Sequence, residues 1–520
     1  MKVEWKKLMF GLAIGAGMMM MASCSDEENF DPGGSTGKET PEPTEKAFLS
    51  MRLSTGSLAG TRVAVDPTTS GRTEEQVVDH VRMVLYETKN NTVRYSWDLN
   101  VSTDGMNEFT GGDVVRGEDV PSATPTVSRF VTVGREVVKQ DYELLILINP
   151  PGELLEITEQ GNPRSYLSRA ANMTKESLIQ PYGIAADNNF YMTNHQDLIF
   201  VPEVELRDNQ RMAEENPVRV EVERAVAKVV VSGVPEVVPH GDRIDNLKWG
   251  LDVTNMYTYW MRKMTFIANS GGVSNEMEQL NAGYREERYA EDPNFTRFSS
   301  WNGGNPVGQF EYLSGTPELS KNFDDYDYYT LENTMDAADQ RHDVTTRVVI
   351  SGTYTPNGFG SVATRNGGGI SFYYFKGNAI RVEAMRDMVN DRGQIPQELR
   401  DAGLEQAIEN VLAWNPNAFN SPTASFSEGG INFYYQGVCY YTVLIRHFSN
   451  NMVPVLMGYG RYGVVRNNVY QLSINKIIGP GQPVINPPGT DPDDEDTSWI
   501  SADVNIMRWY IRNQNVEELL

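Results

Sequence analysis

The chain has 520 residues, of which 40% are hydrophobic and 22% charged, a balance that suits two or three globular domains. Its formal net charge of −25 argues against nucleic acid as a partner, because a phosphate backbone would be repelled. Five histidines (His80, His195, His240, His342, His447) stand far apart, and two cysteines, Cys24 and Cys439, complete no metal-ligand pattern.

At the start, Lys2, Lys6 and Lys7 precede an apolar stretch from Leu8 to Met21, followed by Ala22-Ser23-Cys24. Its 14 residues fall short of the roughly 20 that span a bilayer, so residues 1–24 are expected to be a secretory signal. Met21-Ala22-Ser23-Cys24 resembles a bacterial lipobox, which makes Cys24 the expected lipidation site; a plain signal with an incidental cysteine is the alternative. Lipidation would leave Cys439 without an intrachain disulfide partner. Ser25-Asp26-Glu27-Glu28 is similar to the acidic export signal of surface lipoproteins, or is simply a solvated start to the tether. Asn29 to Lys46, rich in Pro, Gly, Glu and Thr, is too polar to fold.

Ala47 to Leu53 is the first expected strand, with Leu49, Met51 and Leu53 on one face. A breaker-rich stretch carrying Arg62 and Val63 follows, then turns at Asp66-Pro67 and Ser70-Gly71 before Arg72. Val81–Tyr86 and Leu144–Ile148 read as strands, the second buried on both faces. A break near Asn216-Pro217 precedes Val218, Val220 and Val222, which alternate with charged residues. Further strands are expected at Trp249–Val253, Thr346–Ile350, Ile431–Tyr435, Tyr440–Phe448 and Val469–Ile474. Helical spacing at Ile380–Val389 and Leu399–Leu412 marks an insertion.

Gly479-Pro480-Gly481 opens an expected flexible linker through Asp491–Asp496. Asp491, Asp493 and Glu495 lack the glycine and distal glutamate of a calcium loop, so a solvated spacer is expected. The last strand, Trp499–Ile511, puts Ile500, Ala502, Val504 and Ile506 on one face. The apolar phase then moves to Met507, Trp509 and Ile511, as a bulge would produce. Nothing local offers this strand a partner.

Other motifs read as structure. Gly458 to Gly463 fits GxGxxG, but strand-like sequence follows it, so a turn is expected. No GxSxG elbow or Walker motif points to catalysis. Tyr373-Tyr374-Phe375 and Tyr434-Tyr435 suit half-buried strands better than a sugar platform, and Cys439 suits a buried site. Two β-sandwich domains are the simplest assignment: 63–216, and 217–480 with the helical insertion. Around them stand a removable segment 25–62 and a linker with a final strand at 481–520.

Four ordered blocks carry a resemblance. They are Val220-Glu221-Val222-Glu223-Arg224-Ala225-Val226-Ala227-Lys228-Val229; Leu331-Glu332-Asn333-Thr334 with Thr345 to Val349; Tyr440 to Phe448; and Tyr462 to Tyr470. With the tail Ala502-Asp503-Val504-Asn505-Ile506, Trp509 and Gln514-Asn515-Val516, the chain resembles the fimbrillins of Bacteroidales type V pili, in particular the major shaft subunit of the short-fimbria family. Arg508 departs from the apolar residue or proline expected there.

The resemblance implies transthyretin-like, Greek-key β-sandwiches and no enzymatic activity or cofactor. It implies a lipoprotein precursor at the outer membrane, cut after Arg62 (or Arg72) by an arginine-specific surface protease. The cut releases lipid and first strand together, and Ile500, Ala502, Val504, Ile506 and Trp509 of one subunit then fill the groove of the next. Implied partners are identical subunits joined head to tail, with anchor and tip proteins, in an extracellular fimbrium serving adhesion and biofilm formation. Its alternatives are a tip or anchor subunit, or a glycan-binding surface lipoprotein.

Overall fold

The computed structural model describes residues 45–509, except for 56–67, 102–112, 117–128, 268–277, 282–283, 296–307, 337–338, 361–368, 448–459, 494–499 and residues 70, 182, 196 and 327. Cys24, Arg62 and Val63 therefore lie outside the described residues. The fold is mainly β, as expected.

The first large sheet runs, edge to edge, Val93–Asn100, His80–Glu87, Tyr142–Ile148, Met192–Asn194, Val218–Arg224, Met51–Thr55, Arg129–Thr132, Val114–Arg116; Ile199–Val201 also pairs with Tyr142–Ile148. Leu144 to Ile148 are all buried, which explains the unbroken apolar run of that strand. Side chains of this sheet form the first core, including Leu53, Met83, Leu85, Ile146 and Val220.

The second large sheet has the order Tyr328–Thr330, Ala227–Ser232, Asn468–Ile478, Ile500–Trp509, Thr68–Thr69, with Glu236–Val238 also on Asn468–Ile478. A sheet of Arg243–Asp252, Arg347–Thr355 and Val438–Leu444 shares a core with it. Val229, Val231, Leu472 and Ile474 from one meet Trp249, Leu251, Val348, Ile350 and Tyr441 from the other, the arrangement of a sandwich. Cys439 is fully buried here, and its thiol donates to the Gly352 carbonyl at 3.4 Å.

The changeover between the large sheets comes at Ala225-Val226, later than the break expected at Asn216-Pro217. Val218–Arg224 belongs to the first sheet because its pairing partners, Met192–Asn194 and Met51–Thr55, lie there.

The insertion between Arg347–Thr355 and Val438–Leu444 folds around its own core of Tyr373, Phe375, Met385, Ile408, Val411 and Phe433. Its first helix starts at Val382, not Ile380, because Ile380 and Arg381 pair with Tyr373 and Phe372. The helix expected over Leu399–Leu412 is two, Gln397–Asp401 and Leu404–Trp414, parted at Gly403, whose φ of +91° suits glycine. Tyr373, Phe375 and Tyr434 are buried core residues.

Candidate functional site

The leading segment is two short strands in line, Lys46–Leu49 and Met51–Thr55. Alternation carries through both: Ala47, Leu49, Met51 and Leu53 are 2%, 1%, 0% and 0% exposed. Between them Ser50 is also buried, and its hydroxyl donates to the Thr132 carbonyl at 2.7 Å while the Met51 N–H donates to Thr132 Oγ1 at 2.9 Å. The buried serine hydroxyl is thus satisfied by the Thr132 carbonyl, while the Thr132 hydroxyl meets the neighbouring backbone N–H.

Both edges of the segment are occupied. Lys46–Leu49 pairs antiparallel with Arg135–Val138, while Phe48 exchanges backbone hydrogen bonds with Arg207 at 2.7 and 2.9 Å. Met51–Thr55 lies parallel to Val218–Arg224 on one side and antiparallel to Arg129–Thr132 on the other, with Leu53 in register with Val220 and Phe130. It is an inner strand, so its removal would open two strand edges and an apolar slot between them.

The tail strand, Ile500–Trp509, corrects two expectations. It has a partner in its own chain, lying antiparallel to Asn468–Ile478 from Ile500↔Ile477 to Arg508↔Asn468. No periodicity could have disclosed this, because pairing joins segments that are adjacent only in space. The register also runs unbroken through Ile506, Met507 and Arg508; the irregularity falls opposite Ala502 and Ser501, between Ile474 and Lys476. Ile500 is 7% exposed, and Ala502 and Val504 are half-buried against the second core. Ile506 and Trp509 lie in the strand; their side chains fall outside what is described.

Up to Asp493, the chain that precedes this strand is held by contacts. Ile485 is buried and exchanges backbone hydrogen bonds with Gly315, and Asp493, buried, accepts a 2.6 Å hydrogen bond from Thr345 Oγ1.

Arg72 stands at a junction of charges. Its Nε lies 3.2 Å from Glu75 Oε1, and its Nη2 donates to Asp187 Oδ1 at 2.7 Å and to the Tyr329 hydroxyl at 2.9 Å. Glu75 is fully buried and pairs with Lys228 Nζ at 2.6 Å; its backbone carbonyl accepts from Arg224 Nε and Nη2 at 3.1 and 2.9 Å. Burial pushes the Glu75 carboxyl up, but Lys228, Tyr329 and the Arg72 N–H outweigh it and hold it below the usual carboxylate range. Burial lowers the Lys228 ammonium, and lowers the Arg224 guanidinium to about 10.

Similar buried pairs involve residues of the blocks singled out in the sequence. Arg466 Nε lies 3.2 Å from Glu332 Oε2 with both side chains fully buried, and Arg347 Nη2 lies 2.7 Å from the buried Asp252. Glu223 holds both Arg262 at 2.6 Å and His195 at 2.9 Å. Of these buried charges, Lys228 carried a sequence signal, a charge inside the apolar block Val226-Ala227-Lys228-Val229.

Two family models match the chain. The major fimbrial subunit protein (FimA) model covers residues 47–224, and the C-terminal model of fimbrillin, the major fimbrial subunit protein type IV, covers residues 432–515. No curated protein matches. Among solved structures, a fimbrillin (FimA) of Porphyromonas gingivalis is 13% identical with a TM-score of 0.39, covering 90% of this chain and 99% of its own. The tip fimbrial protein Mfa3 of the same species, truncated at its C-terminus, is 11% identical with a TM-score of 0.34, covering 89% and 100%. A fimbrial assembly protein of Parabacteroides distasonis is 11% identical with a TM-score of 0.28, covering 59% and 96%. With one match opening at the leading segment and the other running through the tail strand, the chain belongs to the fimbrillin family of fimbrial subunits.

Proposed function

We propose that this fimbrial subunit builds a fimbrial shaft by protease-triggered strand exchange. The observation that carries the reading is the leading segment: two short strands in line, the second an inner strand of the first large sheet, with four buried apolar side chains between them, followed in sequence by residues 56–67, which include Arg62. A lipid on Cys24 holds the precursor at the outer membrane. Cleavage between Arg62 and Val63 by an arginine-specific surface protease detaches lipid and leading segment together.

The vacated slot then takes the tail of an identical subunit, and repetition gives a head-to-tail polymer between anchor and tip proteins, serving adhesion and biofilm formation. A magnitude favours this direction. In its own subunit the tail buries Ile500 fully and Ala502 and Val504 only in part. In the slot the leading segment buries Leu49, Met51 and Leu53 almost completely, at roughly 1.5–3 kcal/mol per large side chain. Moving Ala502 and Val504 from half-buried positions into a closed slot therefore gains apolar burial, against ordering costs of about 1–2 kcal/mol for each residue newly fixed.

The test uses three proteins treated with an arginine-specific protease: wild type, Arg62→Ala, and a chain ending at Asp493. Wild type is expected to give a ladder of SDS-resistant multimers, Arg62→Ala to stay uncut, and the shortened chain to be cut yet remain monomeric. A ladder from either variant would overturn the proposal.

A further inference from the structure

We infer that the ion cluster around Glu75 selects the processing arginine by withholding Arg72 from the protease. The inference rests on the processing proposed above and adds what decides where it stops.

An arginine-specific protease needs two things from its substrate. The guanidinium must be available to enter an acidic specificity pocket, and the flanking backbone must extend through the active-site cleft. Arg72 offers neither. Its guanidinium is divided among Glu75, Asp187 and Tyr329, and its own N–H donates to Glu75 Oε2 at 2.8 Å. Burial alone would lower its pKa, but these hydrogen bonds reverse the effect and raise it.

The bond that would be cut, Arg72–Thr73, enters the 3-10 turn Thr73–Glu75. The Arg72 carbonyl that a nucleophile would attack accepts from the Glu75 N–H at 3.1 Å and from Gln76 Nε2 at 3.1 Å. Presenting this bond in extended form would break the turn and disrupt the cluster around Glu75.

Opening the cluster is costly because its centre is dry. The side chains of Glu75 and Lys228 are 0% and 3% exposed, and separating a buried pair leaves uncompensated charge. Its members come from distant parts of the chain: Arg224 ends a strand of the first sheet, while Lys228 and Tyr329 lie in strands of the second. The choice of bond has a structural consequence. A cut at Arg72 would also discard Thr68–Thr69, which pairs parallel to Arg508–Trp509 for as long as the tail stays in its own subunit.

Trypsin acting on the full folded chain, with new N-termini quantified by mass spectrometry, tests the inference. Asp187→Ala removes one Arg72 partner at an exposed position, and Asp187→Ala with Tyr329→Phe removes two. Wild type is expected to yield ends at Val63 and almost none at Thr73. Ends at Thr73 should rise several-fold in the single variant and more than tenfold in the double variant, with Val63 ends unchanged. Comparable cutting at Arg72 and Arg62 in wild type would overturn the inference. So would an unchanged Thr73 yield in Asp187→Ala, which leaves the buried Glu75–Lys228 pair in place and keeps the test valid if the double variant unfolds. Failure of Arg62 to be cut in any protein would instead count against the processing scheme, since the Thr73 comparison between variants does not depend on it.

Discussion

Leu53→Ala tests how firmly the leading segment is held. Leu53 is 0% exposed and stands in register between Val220 and Phe130, with Met51 and Leu49 on the same face. A buried leucine cut back to alanine loses transfer energy and leaves a cavity, together about 2–5 kcal/mol, a large share of the roughly 5–15 kcal/mol that holds a domain folded. In the uncut chain this should appear as a lower urea midpoint with an unchanged slope. Once the loop is cut, the same loss falls on a segment held without a covalent link, and its release should quicken roughly 30- to 4,000-fold, at a factor of ten per 1.4 kcal/mol. Release is read by following the freed peptide chromatographically after a protease pulse. Lys46→Ala, which removes an exposed pair with Glu136, serves as the control and should change neither quantity. If Leu53→Ala unfolds within about 0.5 kcal/mol of wild type, the leading segment is not the buried keystone described above.

Three other outcomes follow from the same structure. Glu332→Gln leaves Arg466 as a buried charge without its counter-ion and should cost about 3–5 kcal/mol in chemical denaturation. Gly233→Ala should destabilise by about 1–3 kcal/mol, because φ is +109° and a Cβ would sit 2.5 Å from the Ile474 carbonyl oxygen; differential scanning calorimetry reads the shift. Burial pushes the Asp292 carboxyl up from 3.8 to about 8, against N–H donors from Thr334 and Asn294. The folded chain then keeps a proton that the unfolded chain gives up, so this contribution is complete below about pH 4 and is lost as pH rises toward 8. Between about pH 5 and 7, wild-type stability should fall by about 1.4 kcal/mol per pH unit relative to Asp292→Asn; parallel pH profiles would contradict this.

What could be read in advance depended on whether the information was local. The alternation Ala47–Leu49–Met51–Leu53 is a property of seven consecutive residues, and the structure keeps it through Ser50 because Thr132 meets the serine hydroxyl. The unbroken run Leu144–Ile148 declared an inner strand for the same reason. Partner choice was not legible: Met51–Thr55 finds Val218–Arg224, and Ile500–Trp509 finds Asn468–Ile478, through contacts that no period encodes. The apolar phase change after Ile506 suggested a bulge in the tail, whereas the irregularity belongs to its partner near Asn475. Buried charges were hidden too, since Glu75, Glu332 and Arg466 look like surface residues until the opposite charge arrives from a remote strand. Arg72 was readable as a trypsin-like site by type alone; its engagement with Asp187 and Tyr329 is purely tertiary.

Strand exchange is tested most directly by peptide mapping of assembled filaments by mass spectrometry. The expected result is a chain beginning at Val63, with no peptide from residues 47–53, and a tail spanning 500–509 cross-linked to Val218–Arg224 or Arg129–Thr132 of a neighbouring subunit. Filaments whose subunits keep residues 47–53 between those two strands would contradict it.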